Sequence, residues 1–250
     1  MVEFSVIETL QNPQFVKNTF AAIARRYDLA NHVLSGGMDF LWRRRAAQIV
    51  RAWQPQRVLD LATGSGDLAL TIQRACPNAE VIGADFCEPM LEQARKKGLR
   101  NTVIADAMRL PFGAGEFDVV TVAFGLRNME SWSGALREMA RVLKPGGHML
   151  ILDFSIPTCA LMRPLYRIYL HRVLPLVAAA VTRQKSAYEY LGASIEKFPQ
   201  GEDMQRLIAA NNFESPMCEP LTGGIVSLYT ATVGSVAASD GGNSVEAVMP

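Results

Sequence analysis

The residues of this 250-residue chain that could do chemistry gather where predicted strands end. The stretch "VLDLATGSGDLAL", residues 58–70, is an apolar run that contains Asp60 and leads into Gly64 and Gly66. Glycines between a strand and a helix let the backbone approach a ligand closely, beside the helix N-terminus. A second predicted strand ends in Asp85, where a carboxylate can accept hydrogen bonds from both hydroxyls of a ribose. The pattern therefore predicts a site for a nucleoside-containing ligand.

Two ligand classes fit this pattern. "GSGDLA" matches G-x-G-x-x-A, which is typical of nicotinamide dinucleotide sites, so a nicotinamide-dependent oxidoreductase is one interpretation. Asp60 favours another, because its charge at the mouth of the strand would repel a pyrophosphate and attract a cation. S-adenosylmethionine carries a sulfonium and an ammonium and has no phosphate. Asp106 follows a third strand, near where the adenine of such a donor would lie.

The elements that must position these residues alternate along the chain. Apolar runs predict strands at residues 57–62, 79–85, 101–106, 117–124 and 148–154, and helical periodicity predicts helices at 66–75, 88–98 and 133–144. Pro145, Gly146 and Gly147 are predicted to stop the last of these helices. Two further segments, "FESPMCEP" and "VSLYTATV", suit a closing antiparallel hairpin. Alternation of this kind predicts a mostly parallel sheet with helices on both faces, which binds ligands beyond the carboxyl ends of its strands.

Composition limits the class of protein. Half of the residues (49%) are hydrophobic and the formal net charge is +1, which does not suggest a nucleic-acid partner. The four cysteines are scattered and form no Cys/His cluster, so neither a disulfide framework nor a metal site is predicted, and a reducing compartment fits. The N-terminus does not resemble a signal peptide, and no apolar run is long enough to span a membrane. We predict an N-terminal helical cap over residues 1–54, helical at 12–27 and 38–53, a catalytic domain over 55–234 and a disordered tail over 235–250.

Several longer motifs resemble one family. "VLDLATGSGD", "ADAMRLPF", "FDVVTVAFGLRN" and "LKPGG" are similar to the class I S-adenosylmethionine-dependent methyltransferases, which implies their Rossmann-like α/β fold with a seven-stranded, mostly parallel sheet and an antiparallel last strand. More specifically, the chain from about residue 15 to residue 233 resembles the ubiquinone/menaquinone biosynthesis C-methyltransferases. The N-terminal block "YDLANHVLSGGMDFLWRR" and the C-terminal blocks "YEYLGASIEKFP" and "LTGGIVSLYTA" show it. This resemblance implies methylation of a ring carbon in a polyprenylated quinol.

The resemblance also implies roles for particular residues. Thr63 and Asp85 would hold the donor, and Asp106 with Ala107 would meet its adenine. The complete predicted donor-binding set is Asp60, Thr63, Gly64, Gly66, Asp85, Asp106 and Ala107.

Two positions depart from the family pattern. Asp39 stands where the N-terminal signature often has histidine, which favours the demethylmenaquinone branch of the family. Ala123 stands where a serine is frequent, so the hydroxyl that a side-chain contact at position 123 would use is missing.

The residues predicted to act on the acceptor follow the fourth and fifth strands. Arg127 and Asn128 are expected to point at the acceptor ring. An arginine pKa above about 12 rules out a role as the base, but arginine can stabilise a developing quinolate. The general base is left open between Asp153, Tyr188, Tyr190 and a bound water. Each residue also has a structural alternative: the arginine could cap a helix or pair with Glu130, the tyrosines could pack and the carboxylate could hold a loop.

The apolar segment "LMRPLYRIYLHRVLPLVAAAV", residues 161–181, lies in a predicted substrate-side helical insertion at about 158–200. One interpretation is a packed helix. The other is a lid that holds the lipid tail and presents arginines to anionic headgroups at the inner face of the cell membrane. Pro164 and Pro175 are expected to break it. The oligomeric state is left open, with a homodimer as one option, and the acceptor could also be another small molecule.

Overall fold

The computed structural model describes Gln14, Ala21, residues 27–174 and residues 192–234. Two helices precede the sheet, α1 (Tyr27–Leu34) and α2 (Met38–Ala52). The second of these confirms the helix predicted over residues 38–53. Helix α2 is anchored to the C-terminal part of the sheet, since the indole Nε1 of Trp42 donates to Thr222 Oγ1 at 2.8 Å and Arg45 forms an ion pair with Glu219.

The sheet has seven strands in the order β3-β2-β1-β4-β5-β7-β6. Six strands run in the same direction, and β7 is antiparallel to both of its neighbours. This confirms the predicted seven-stranded sheet with its closing hairpin. The strands are β1 (Arg57–Leu61), β2 (Glu80–Asp85), β3 (Asn101–Ile104), β4 (Phe117–Ala123), β5 (Leu143–Phe154), β6 (Phe213–Leu221) and β7 (Val226–Val233).

Helices cover both faces of the sheet. They are α3 (Asp67–Ala75), α4 (Glu88–Lys96), α5 (Trp132–Val142), α6 (Met162–Ile168) and α7 (Glu202–Ala209). Residues 192–197 are also helical, and a single 3₁₀ turn (Leu126–Asn128) follows β4.

Alternate strand residues face the two halves of the core, as strand geometry requires. In β1, Leu59 packs with α5 and α7 on one face, whereas Val58 packs with α2 and α3 on the other. In β5, Ile151 and Leu152 divide between the two faces in the same way. Burial on both faces explains why the sequence shows continuous apolar runs in place of alternation.

The junction between α5 and β5 differs from the prediction. The helix ends at Val142, before the expected stop at Pro145, and β5 begins at Leu143, which is extended (φ −75°, ψ 142°). Leu143 pairs with Phe117 of β4, and both side chains are buried. Because a proline disfavours helix at the residue before it, the chain leaves the helix early, and burial of Leu143 favours a strand there.

The segment from Leu161 is helical as far as the structure describes it. Helix α6 continues into a wider π-type turn (Tyr169–Val173). The expectation that Pro164 breaks the helix is wrong, because this proline lies in the first turn, where a backbone N–H has no acceptor within the helix. Residues 175–191, most of the predicted helix 12–27 and the predicted disordered tail from residue 235 lie outside the described residues, so these expectations and the domain division stay predictions.

Within the described part of the chain, no helix is both long enough and apolar enough to cross a membrane. The same residues contain no group of three or more His, Cys, Asp and Glu side chains arranged to hold a metal ion.

Candidate functional site

A cleft opens at the carboxyl ends of the parallel strands, where a sheet of this kind binds its ligands. Its empty volume is about 800 Å³, including its open mouth. Predicted site residues on its wall are Gly64, Asp85, Asp106, Ala107 and Asn128. These five residues lie at or just after the ends of four different strands, and the structure places them together on one wall, as their spacing in the sequence predicted.

The loop between β1 and α3 has the backbone conformation that its glycines allow. Gly64 and Gly66 both lie in the left-handed region, with φ of 56° and 82°. The N–H of Gly64 donates to Asp85 Oδ2 at 2.8 Å, and a Cβ added to Gly66 would stand 3.0 Å from the Cβ of Ala94. Substitution at either position would strain the backbone, and at Gly66 it would also push against α4.

Asp85 is held rigidly at the end of β2. Its Oδ1 accepts the backbone N–H of Cys87 at 2.9 Å, and its Oδ2 accepts that of Gly64. Burial raises the pKa of this carboxyl to about 6, although the backbone hydrogen bonds oppose the shift. A carboxylate offers about four lone-pair sites, so both oxygens remain able to accept further hydrogen bonds from a ligand.

Asp60 lies behind the cleft and does not line it. Its Oδ2 accepts a hydrogen bond from Thr63 Oγ1 and its Oδ1 one from Thr121 Oγ1, each at 2.6 Å, and the backbone N–H of Ala69 at the start of α3 also donates to it. Burial raises the pKa of Asp60 to about 6. The structure thus places Asp60 and Thr63 where they shape the loop, and their predicted direct contact with a donor stays a prediction. Gly66 likewise lies beyond the cleft wall.

Arg127 does not point into the cleft as expected. Its guanidinium is buried, and Nη1 donates to Asp153 Oδ1 at 2.5 Å and to the carbonyl oxygen of Phe124 at 2.7 Å. The guanidinium also lies 5.3 Å from the centroid of the Phe154 ring. Arg127 therefore makes a structural ion pair, with Asp153 and not with the Glu130 considered from the sequence, and its predicted catalytic role stays a prediction.

The carbonyl that Arg127 holds belongs to a strained residue. Phe124 has φ of 56°, and Ala62 at the end of the neighbouring strand has φ of 52°. Both residues line the cleft, and non-glycine residues in the left-handed region are uncommon and concentrate at functional sites. Arg127 and the neighbouring Asn128, whose Nδ2 also donates to Phe124 O, stabilise this turn.

Asp153 is almost fully buried, and its Oδ2 finds no hydrogen-bond partner among the described residues. Burial raises its pKa, while Arg127 opposes the shift. The buried phenol of Tyr166, on α6, lies close enough for Asp153 and Arg127 to affect its pKa, which burial raises above the usual range. Tyr188 and Tyr190, the other predicted base candidates, lie outside the described residues.

Sequence reasoning missed part of the cleft wall. Phe86, Phe124, Met129 and Glu130 line it, and Met90 is both buried and part of the wall. Phe86 directly follows Asp85 at the end of β2, and this position in the sequence could have identified it as part of the cleft wall.

The charges on the cleft wall all have one sign. Among the described residues that line it, the charged side chains are Asp85, Asp106 and Glu130, and none is basic. Such a surface attracts a cationic ligand and repels a pyrophosphate. The chemistry of the wall thus fits S-adenosylmethionine, with Asp85 able to hold a ribose and apolar side chains able to enclose an adenine.

Comparison with known proteins identifies the family. The model of the ubiE/COQ5 methyltransferase family matches residues 8–233 of the chain. The chain belongs to the ubiE/COQ5 methyltransferase family. It is a methyltransferase and its methyl donor is S-adenosyl-L-methionine. The alternative interpretation of the chain as a nicotinamide-dependent oxidoreductase is not favoured.

Relatives of this ubiE/COQ5 chain are similar over most of their length. A demethylmenaquinone methyltransferase of Thermus thermophilus is 46% identical over 215 residues, covering 84% of this chain and 97% of the relative. A demethylmenaquinone methyltransferase of Deinococcus radiodurans is 42% identical, covering 86% of this chain and 91% of the relative.

Solved structures show the fold. An S-adenosylmethionine-dependent methyltransferase of Thermotoga maritima has a TM-score of 0.60 at 18% identity and covers 86% of this chain and 99% of its own. Human N-acetylserotonin methyltransferase in complex with S-adenosylmethionine has a TM-score of 0.59 at 17% identity, covering 86% of this chain and 59% of its own. These similarities confirm the class I methyltransferase fold predicted for this ubiE/COQ5 chain.

Proposed function

We propose that this chain methylates a ring carbon of a polyprenylated quinol, and that the acceptor is demethylmenaquinol, which becomes menaquinol. The observation that supports the donor half is the cleft whose charged wall residues are all acidic. The acceptor half is supported by curated relatives at 39–46% identity that are named demethylmenaquinone methyltransferase.

The residues of the cleft would divide the donor between them. Asp85 would accept hydrogen bonds from the ribose hydroxyls, the Gly64 loop would pass close to the donor, and Asp106 with Ala107 would border the adenine. S-adenosylmethionine supplies an electrophilic methyl group on a sulfonium, which the acceptor carbon attacks while the sulfur–carbon bond electrons pass to sulfur. The ring carbon would then give up its proton to a base or a bound water, which would restore the aromatic ring and leave S-adenosylhomocysteine as the second product.

The protein's contribution to this reaction is position and environment. Holding the ring carbon in line with the methyl group converts an encounter into an intramolecular step. An apolar pocket also helps, because the charges of a quinolate and a sulfonium cancel as the methyl group moves. Of the base candidates, Asp153 lies among the described residues, where its Oδ2 has no partner and burial raises its pKa. Because it does not line the cleft, we propose that it would act through a bound water that relays the proton.

We further propose that α6 brings the enzyme to the inner face of the cell membrane, where its long-tailed acceptor resides. Leu161, Leu165 and Ile168 are 75%, 63% and 53% exposed and lie at helical spacing on one face. Tyr166 and Leu170 occupy the opposite, buried face. Arg163, Arg167 and Arg172 of the same segment are also exposed, although they do not share one face of the helix. Apolar side chains flanked by cations suit a bilayer with anionic headgroups.

The test uses two measurements on the purified enzyme. S-adenosylhomocysteine at a hundredfold excess over its Kd should stabilise the protein by about 2.7 kcal/mol, while NADH should leave the melting temperature unchanged. Naphthoquinol and benzoquinol acceptors should then be compared by transfer of a labelled methyl group, with the naphthoquinol preferred. Stabilisation by NADH would refute the donor. Equal or better use of the benzoquinol would move the acceptor to the ubiquinone pathway.

A further inference from the structure

The loop between β1 and α3 is tied to a helix of the N-terminal cap. Ser65 lies between Gly64 and Gly66, is only 2% exposed, and donates from Oγ to Asp28 Oδ1 at 2.5 Å. Asp28 belongs to α1, so the contact joins residues that are 37 positions apart in the sequence. Nothing in the donor contacts proposed above uses this interaction.

A lysine completes the connection. Lys97, which caps the C-terminus of α4, places Nζ 2.5 Å from Asp28 Oδ2 and 2.6 Å from Asp67 Oδ1. Asp67 is the first residue of α3, directly after the glycine loop. Its other oxygen is 3.5 Å from Arg43 Nη2 on α2. These ion pairs connect four helices around one loop.

The cap makes a second, apolar contact beside the cleft. Ala21 packs against the buried cluster of Cys87 and Met90, together with Phe86. Phe86 and Met90 line the cleft. The N-terminal region therefore touches both the glycine loop and the wall that follows Asp85.

We propose that Asp28 and Lys97 are positioning residues for the methyl donor. Together with Ser65 they form what we call the cap latch, which holds the glycine loop in its ligand-binding shape. Glycines have little intrinsic preference for one conformation, so neighbouring contacts must supply it. The inference rests on the donor site given under Proposed function.

The latch has a consequence for donor exchange. A loop held from outside binds the donor with less loss of conformational freedom, so affinity falls when the latch is removed. Because such losses appear mainly as faster dissociation, the release of S-adenosylhomocysteine should speed up. Acceptor binding, on the far side of the methyl group, should change little.

The experiment measures S-adenosylhomocysteine binding by calorimetry and its dissociation by surface plasmon resonance. Asp28→Ala and Lys97→Met should each weaken binding by on the order of tenfold, mostly through faster dissociation. When Ser65→Ala is combined with Asp28→Ala or with Lys97→Met, the loss of binding free energy should be smaller than the sum of the two single losses, as expected for residues in one network. Lys97→Arg should restore most of the affinity, and the Michaelis constant for a short-tailed quinol should stay within about twofold.

A matched control is available at the other end of the sheet. Lys144 also forms an ion pair at 2.6 Å, with Asp118 near the start of β4. Lys144→Met should leave donor binding unchanged. Asp28→Asn, which keeps an oxygen for Ser65, provides a milder variant if Asp28→Ala does not fold.

The outcomes separate the two proposals. Equal effects of Lys97→Met and Lys144→Met, or additive effects of Asp28→Ala and Ser65→Ala, would overturn the latch. A wild-type protein that does not bind S-adenosylhomocysteine would instead refute the donor assignment, and the latch with it.

Discussion

Asp85 combines two tasks in one carboxylate. Its hydrogen bonds to the backbone N–H groups of Gly64 and Cys87 fix the carboxylate plane, while its remaining lone pairs face the cleft. Such preorganisation means that little rearrangement would be needed for Asp85 to accept the ribose hydroxyls of the donor, as we propose. The same burial raises the pKa of Asp85 to about 6.

We predict that Asp85→Ala weakens S-adenosylhomocysteine binding, because it removes two charge-assisted hydrogen bonds of about 1.5–3 kcal/mol each. In the wild type, affinity should be constant above the pKa of about 6 and fall as the pH drops through that value, since only the ionised carboxylate accepts both bonds. Calorimetry between pH 5 and about 8 tests both statements. An unchanged dissociation constant in a folded Asp85→Ala variant would remove Asp85 from the donor site.

The buried pair of Arg127 and Asp153 is a second feature at this scale. Neither side chain is more than 6% exposed, and desolvation of two charges can outweigh their attraction. A stability gain therefore does not explain the pair. Arg127 also donates to the carbonyl oxygen of the strained Phe124, which indicates that the pair holds this part of the cleft wall in place.

We predict that Arg127→Met destabilises the protein by about 3–5 kcal/mol, because Asp153 is left buried without its partner charge. Adding Asp153→Asn should recover part of this loss, since the remaining group is then neutral. Urea unfolding of the two single variants and the double variant measures the coupling. If the double variant were less stable than Arg127→Met, the ion pair would not be the source of the effect.

At the scale of the element, α6 shows how one short helix separates two environments. Tyr166 and Leu170 face a small buried cluster, whereas Leu165 and Ile168 face outward. Two of its arginines already have partners: Arg163 donates from Nε to the carbonyl of Pro157 at 3.1 Å, and Arg167 is 3.4 Å from Glu196. Both remain exposed, so their charge still reaches the surface.

We predict that replacing Arg163, Arg167 and Arg172 by glutamine raises the Michaelis constant for a long-tailed quinol in anionic vesicles. Activity on a short-tailed, water-soluble quinol should remain, because the chemistry is untouched. The difference should shrink with added salt, which screens surface charges over about 10 Å at 0.1 M. Leu165→Gln should act in the same direction through lost apolar contact.

The control for this experiment is Arg206→Gln, since Arg206 is exposed on α7 and lies in an ordinary surface cluster with Asp203 and Glu202. It should leave both substrates unaffected. Equal losses on the long-tailed and short-tailed quinols in the triple variant would show that the arginines serve folding or chemistry, and the membrane proposal for α6 would be dropped.

For the whole molecule, the buried carboxylates make stability depend on pH. The folded-state pKa of Asp60, about 6, lies above its ordinary value of 3.8 because of burial. Its contribution to stability is therefore fully present below about pH 4 and is lost as the pH rises through 6. Asp118 acts in the opposite direction, because its pKa lies below the ordinary value. Burial raises this pKa, but the hydrogen bonds from Lys144, Arg57 and Gln56 together lower it by more.

We predict that Asp60→Asn gains stability relative to the wild type as the pH rises from about 4 to 7, by about 3 kcal/mol at most. Asp118→Asn should show the reverse slope, because it loses an interaction that is present only above the ordinary carboxyl pKa. Urea unfolding at several pH values measures both differences. Parallel slopes in the two variants would contradict the proposed role of burial at Asp60.

The sequence by itself determined the order of strands and helices and the meeting of Gly64, Asp85 and Asp106 at one edge. Continuous apolar runs mark the buried strands and helical periodicity marks the buried side of each helix, and parallel strands bring their carboxyl ends together whatever the details of packing. The long motifs also determined the family. The strand and helix order, the shared edge and the family all depend on residue types and spacings within short segments, and these can be read from the sequence alone.

Only the tertiary structure decided which groups pair. Arg127 turns to Asp153, 26 residues away, and Ser65 turns to Asp28, 37 residues away, because packing between elements brings them within hydrogen-bond distance. Spacing along one element cannot show such contacts, since the direction of a long side chain depends on the neighbours that surround it. The early end of α5 at Val142 has the same origin, as burial of Leu143 against Phe117 favours a strand there.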